Sequence, residues 1–219
     1  IEKRKFSEDF KEMLLLIVKP LTLIFIISIF LYVLIEQSFQ TWFPTFYTDI
    51  INAPASMAVQ AGAVLGGAFM IGRFLGGFIL NKVKWIYLLS FCLVASAILI
   101  VLVLPLSGNS STEGLITWSN APAVVYLMPL IGLFLAPVYP TINSTILSSL
   151  PKHMHSSMAG LIVVFSALGG TTGSIITGNV FQKYDGATAF YLSLIPLIGI
   201  LISIWILYAK TKKNTIISE

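Results

Sequence analysis

Tyr32, Glu36, Gln40 and Phe43 recur at three- and four-residue steps inside an apolar run from Leu21 to Phe43. On a helix of 3.6 residues per turn they share one face, so a carboxylate and a carboxamide lie between two aromatic rings. Such a stripe suits a hydroxyl-rich solute. Hydroxyls need paired donors and acceptors, and rings supply flat apolar contact with little rotamer entropy to lose. A carboxylate at the centre of a membrane helix costs roughly 2.5 to 3.5 kcal/mol on insertion scales, so Glu36 is expected against protein or a water-filled cavity. Gln37 and Trp42 lie off this face, and Trp42 is expected as an anchor in the interfacial aromatic belt. For Gln40 an interhelical hydrogen bond competes with a role as solute ligand.

Tyr139 and Asn143 form a second polar pair, four residues apart in a segment that also holds Pro129, Pro137 and Pro140. Proline removes a backbone donor and bends a helix, and the freed carbonyls are tolerated at membrane depth only against protein or water. A bent helix beside a cavity is therefore expected, with Tyr139 near the midplane and Asn143 either a solute ligand or a helix-to-helix bond. Arg73 is the remaining charge inside an apolar run. Counted from the basic ends of their helices, Glu36 sits roughly 22 Å deep and Arg73 roughly 10 Å deep, so a direct pair between them is expected to be strained. Arg73 is instead expected to snorkel, or to lock an inner gate. Gly62 with Gly66, and Gly72 with Gly76, have the four-residue spacing that lets helix backbones approach. The hydroxyls of Ser166, Thr171, Thr172, Ser174 and Thr177 are expected on their own backbone carbonyls. His153 and His155 do not share a helix face, and no nearby carboxylate completes a metal set, so neither a metal nor another cofactor is expected.

The elements that must carry these residues are helices in a bilayer. The chain is 57% hydrophobic and 10% charged over 219 residues, whereas soluble domains carry about 25% charged residues. Six apolar runs reach the roughly 20 residues a membrane helix needs: Leu21 to Phe43, Ser56 to Leu80, Trp85 to Leu104, Ala123 to Leu150, Ser157 to Phe181 and Ala187 to Tyr208. They are too long, and alternate too little, for barrel strands. Residues 1–19 read as a linker or short interfacial helix, 20–209 as the six-helix bundle and 210–219 as a tail. Lys19, Lys82, Lys84, Lys152 and Lys210 fall at one set of helix ends, and Lys183 at the other. By the positive-inside rule both termini are cytoplasmic, and the net charge of +4 reflects topology rather than affinity for nucleic acid.

Three stretches carry a family resemblance: Tyr32-Val-Leu-Ile-Glu36, Ile71-Gly-Arg-Phe74 followed by Gly76, and Tyr139-Pro-Thr-Ile142. They resemble, in order and helix position, the C-terminal six helices of the fucose-galactose-glucose:proton symporter branch of the major facilitator superfamily. The chain opens on Ile1 and a basic linker, which fits the second half of a transporter built from two parallel six-helix repeats, each of two inverted three-helix units. The resemblance implies an integral protein of a bacterial inner membrane that moves a sugar by alternating access. It also implies a proton as coupling ion and an N-terminal six-helix half as partner.

In that setting Glu36, Gln40, Tyr32, Tyr139 and Asn143 are candidate solute ligands. Arg73, Gly72, Gly76, Gly169 and Gly173 are candidate gating residues. A non-sugar solute such as an organic anion or drug is the alternative. A membrane-embedded enzyme would need clustered acids, histidines or a nucleophile around Glu36, and a channel would need a filter motif or a ring of charge; neither pattern is visible.

Overall fold

The computed structural model describes residues 17–107 and 116–217, with side chains described to Lys210. The expected interfacial helix of the N-terminal linker and the loop around Glu113 lie outside the described residues. Among those residues there are helices and no strands, and six segments are long and apolar enough to cross a membrane.

The first span is α1 (Pro20–Asp49) and the second α2 (Ala55–Leu80). The third is α3 (Trp85–Val103), continued by a 3-10 turn over Leu104–Ser107. The fourth comes in three pieces, α4 (Ala123–Leu127), α5 (Pro129–Leu135) and α6 (Val138–Ser149). The fifth is α7 (His155–Lys183), and the sixth consists of α8 (Gly186–Tyr191) and α9 (Leu194–Ile217).

Proline explains where these helices depart from simple rods, in three different ways. In the fourth span the expected bends occur at Met128 and at Ala136-Pro137, and the Thr141 hydroxyl donates to the Pro137 carbonyl at 2.6 Å. In the first span the helix was expected to end at Phe43, but it runs through Pro44 to Asp49. Pro44 cannot donate to the Gln40 carbonyl, yet tight packing of the following turn, with Phe46 and Tyr47 buried, holds the helix together. The sixth span was expected unbroken, but it is interrupted at Leu192-Ser193. Pro196 cannot reach back to Leu192, and the Ile195 amide donates to that carbonyl instead, at 3.2 Å.

α1 is the hub, touching α7, α9 and α2. Its aromatic C-terminal half locks into the short helices: Phe39 stacks on Phe190 with centroids 4.5 Å apart, and the Tyr47 hydroxyl donates to the Val125 carbonyl at 2.5 Å. On its α7 side the contact is backbone to backbone. A Cβ at Gly169 would overlap the Phe30 carbonyl oxygen, and one at Gly173 the Leu34 carbonyl oxygen. Gly72 does the same for α2 against the Leu133 carbonyl oxygen of the fourth span, and Gly76 makes room for the Pro137 ring.

Candidate functional site

The turn between α1 and α2 is short, and it sets the register of everything that follows. Asn52 adopts a left-handed conformation, φ 58°, which asparagine tolerates better than most residues, and the Ala53 amide donates to the Tyr47 carbonyl at 2.9 Å. Measured from that turn at 1.5 Å per residue, Glu36 lies about 20 Å and Arg73 about 27 Å into their helices. The long arginine stem spans the difference. Arg73 Nη2 donates to Glu36 Oε1 at 2.5 Å, so the two form a direct ion pair, contrary to the expected strain. Depth counted from the basic ends misleads because those ends need not be level, whereas the tight turn is common to both helices.

One turn after Glu36, Gln40 Nε2 donates to the same Oε1 at 3.2 Å. Glu36 is thus a shared acceptor between a cation and an amide, its side chain 11% exposed while that of Arg73 is 48% exposed. The Arg73 guanidinium carbon sits 6.0 Å from the Phe69 ring centroid, a cation–π contact that also orients the fork. Arg73 therefore belongs to the polar cluster of α1 and α2 and does not snorkel to a helix end.

Gln40 and Arg73 face an open cavity of about 720 Å³ that Gly62, Leu65, Gly66 and Phe69 also line. That volume lies within the roughly 300 to 1,000 Å³ of small-molecule sites. A Cβ built at Gly66 meets nothing within 4 Å. On its other side Arg73 lines a second space of about 390 Å³, with Gly77, Pro140, Ser144 and Thr145. Arg73 is common to the linings of both. Chemically the cluster offers unspent N–H groups of Arg73, the free amide atoms of Gln40 and the second oxygen of Glu36, with opposite charges that cancel.

The remaining predicted ligands stand behind this cluster. Tyr32 is fully buried; its hydroxyl lies close enough to Glu36 and Arg73 to feel both charges but makes no hydrogen bond of standard geometry among the described residues. Its ring centroid is 5.7 Å from that of Tyr139, whose hydroxyl lies 3.2 Å from Ser166 Oγ and so ties the fourth span to the fifth. Asn143 Oδ1 is buried with no partner among the described residues, an acceptor whose desolvation goes uncompensated at about 1 to 3 kcal/mol. Phe43, on the predicted stripe, is buried against Tyr47 and does not line the cavity.

Trp42 departs from its expected role as a belt anchor: its indole N–H donates to the Ser174 carbonyl at 2.9 Å, and its ring stacks on Phe181. The residues that sequence reasoning missed are Leu65, Gly66 and Phe69. Gly62 and Gly66 do carry a signal, a four-residue spacing, but that spacing fits helix contact as well as an opening. The closest atom to a Cβ at Gly62 is Pro44 Cγ at 3.5 Å, an ordinary distance, and Gly66 opens into the cavity. The fifth-span hydroxyls do bond backward in part, as Thr171 does to Ala167 at 2.9 Å, and His155 Nε2 is 3.0 Å from the Leu150 carbonyl.

A family model described as Major Facilitator Superfamily matches residues 2–174, which takes in the first four spans and most of the fifth. No match was found among curated proteins.

Proposed function

The chain belongs to the Major Facilitator Superfamily and is a membrane transporter of that type, and on that premise we propose that its cargo is a small, uncharged, hydroxyl-rich solute, a sugar, coupled to a proton. The observation that carries this reading is the Glu36–Arg73–Gln40 cluster on an open cavity. A paired carboxylate and guanidinium offer strong directional acceptors and donors with no net charge, which matches vicinal hydroxyls and gives an ion no advantage. Phe69 beside the guanidinium supplies a flat apolar wall.

Arg73 lines the spaces on both of its sides, so a solute moving through would keep a polar partner as the access side changes. Protonation of Glu36 would weaken its hold on Arg73 and free the fork for the solute; deprotonation on the other side would restore the pair. A second six-helix half facing the cavity would complete the path, and rocking of two rigid halves would alternate its access. The basic helix ends are read as cytoplasmic.

An organic anion is the second reading, supported by the 48% exposure of Arg73, because an anion could compete with Glu36 for the guanidinium. Uptake by the full-length protein in liposomes separates the two. With an imposed proton gradient, the proposal expects accumulation of at least one of fucose, galactose and glucose, unaffected by competing carboxylates. Folded protein that moves none of these sugars, with or without the gradient, contradicts it.

A further inference from the structure

The face of α2 away from the polar cluster carries a different kind of surface. Between α2, α3 and α5 runs a groove of about 330 Å³ lined by Leu75, Ile79, Val83, Tyr87, Phe91 and Phe134, among others, and its wall is carbon almost throughout. Leu75, Ile79, Val83, Tyr87 and Phe91 are between 40% and 63% exposed, so no described residue covers it. Gly72 and Gly76 draw the fourth span against α2 and give the groove a continuous floor. Along α2 it runs from Gly72 to Ile79, about 10 Å at 1.5 Å per residue, and then on to Val83 in the turn, within the depth of one leaflet, half of a hydrocarbon core about 30 Å thick.

The groove ends at Val83, which Lys82 and Lys84 flank in the turn between α2 and α3. Both lysines are exposed, and among the described residues neither is engaged in an ion pair. An apolar slot within one leaflet, with two exposed lysines flanking Val83 at its end, matches one kind of molecule in polarity: a phospholipid with an acyl chain in the slot and an anionic headgroup on the lysines. We infer that this groove is a binding site for an anionic phospholipid.

The groove shares no lining residue with the 720 Å³ cavity, and the inference does not rest on the identity of the cargo. The full-length protein in phosphatidylcholine nanodiscs, titrated with phosphatidylglycerol and examined by native mass spectrometry, tests it. The parent should retain one phosphatidylglycerol in preference to phosphatidylcholine. Lys82→Gln with Lys84→Gln should weaken that retention by roughly an order of magnitude. Ile79→Trp, which fills the slot from an exposed position, should weaken it as well, while Lys152→Gln, in the other basic turn, should leave it unchanged. Equal retention of the two lipids by the parent, or a loss with Lys152→Gln as large as with the lysine pair, overturns the inference.

Discussion

The two long helices that flank α1 both carry glycine at close spacing, and the residue does opposite work on the two sides. On α7, Gly169 and Gly173 press against the Phe30 and Leu34 carbonyls, so the seam is dry there and neither position admits a side chain. On α2, Gly66 meets nothing within 4 Å and opens a cavity that the Arg73–Glu36 pair bridges. One seam holds α1 and α7 backbone to backbone; the other leaves an open cavity beside a polar pair. A transporter needs both properties in one bundle. Here they lie on opposite neighbours of the same helix.

The dry seam is where the largest effect is expected. Gly173→Leu puts a side chain into the backbone of α1, and overpacking at backbone contact should exceed the usual 1 to 3 kcal/mol. The monodisperse peak of detergent-solubilised protein should be lost in size-exclusion chromatography; a well-folded variant would show that the seam is looser than drawn.

Arg73→Gln comes next. It strands a mostly buried carboxylate, and because the arginine is half exposed the cost to stability should fall below the 3 to 5 kcal/mol of a fully buried pair, about 1 to 2 kcal/mol. Its cost to uptake should be tenfold or more, with Arg73→Lys intermediate, since a point charge replaces a fork. Uptake kinetics and thermal unfolding of the same preparations separate the two effects. Equal losses from Arg73→Lys and Arg73→Gln would remove directional bonding from the account.

The smallest effect lies outside both seams. Asp185 caps α8, accepting from the Thr188 amide at 2.7 Å, and that bond holds its carboxyl below the usual carboxylate range. Its contribution should be complete above the ordinary aspartate pKa and fade as the pH falls through the lowered value. Asp185→Ala should cost about 1 kcal/mol at neutral pH, measured by thermal unfolding, and less in acid. Asn in its place, an equally good cap, should remove the pH dependence while keeping the stability.

Much of this was legible in the residues alone. Apolar length marked all six spans, and the prolines of the fourth marked its bends. The four-residue step from Glu36 to Gln40 anticipated their shared face, and they are bonded. The apolar run stops at Phe43 while the helix continues through Pro44, because a proline signal does not reveal how firmly the next turn is packed. The Arg73–Glu36 pair was hidden because relative depth depends on which helix ends are level, and that is a property of the turn. Glycine spacing is the same for a packed seam and an open cavity, since the difference lies in what faces the glycine. Trp42 likewise looked like a belt residue until the Ser174 carbonyl was beside it.

The central claim is that the Arg73 cavity carries the solute, and Gly66 offers the most direct test of it. Gly66 and Gly67 are adjacent on α2, and a Cβ meets nothing within 4 Å at either; Gly66 lines the cavity and Gly67 is not among its lining residues. Leucine at either position should fold as well as the parent, with a helix gain of up to about 0.8 kcal/mol over glycine. Uptake of the solute that the parent protein is found to carry should be abolished by Gly66→Leu and retained by Gly67→Leu. Uptake by Gly66→Leu at the parental rate and KM would contradict the account.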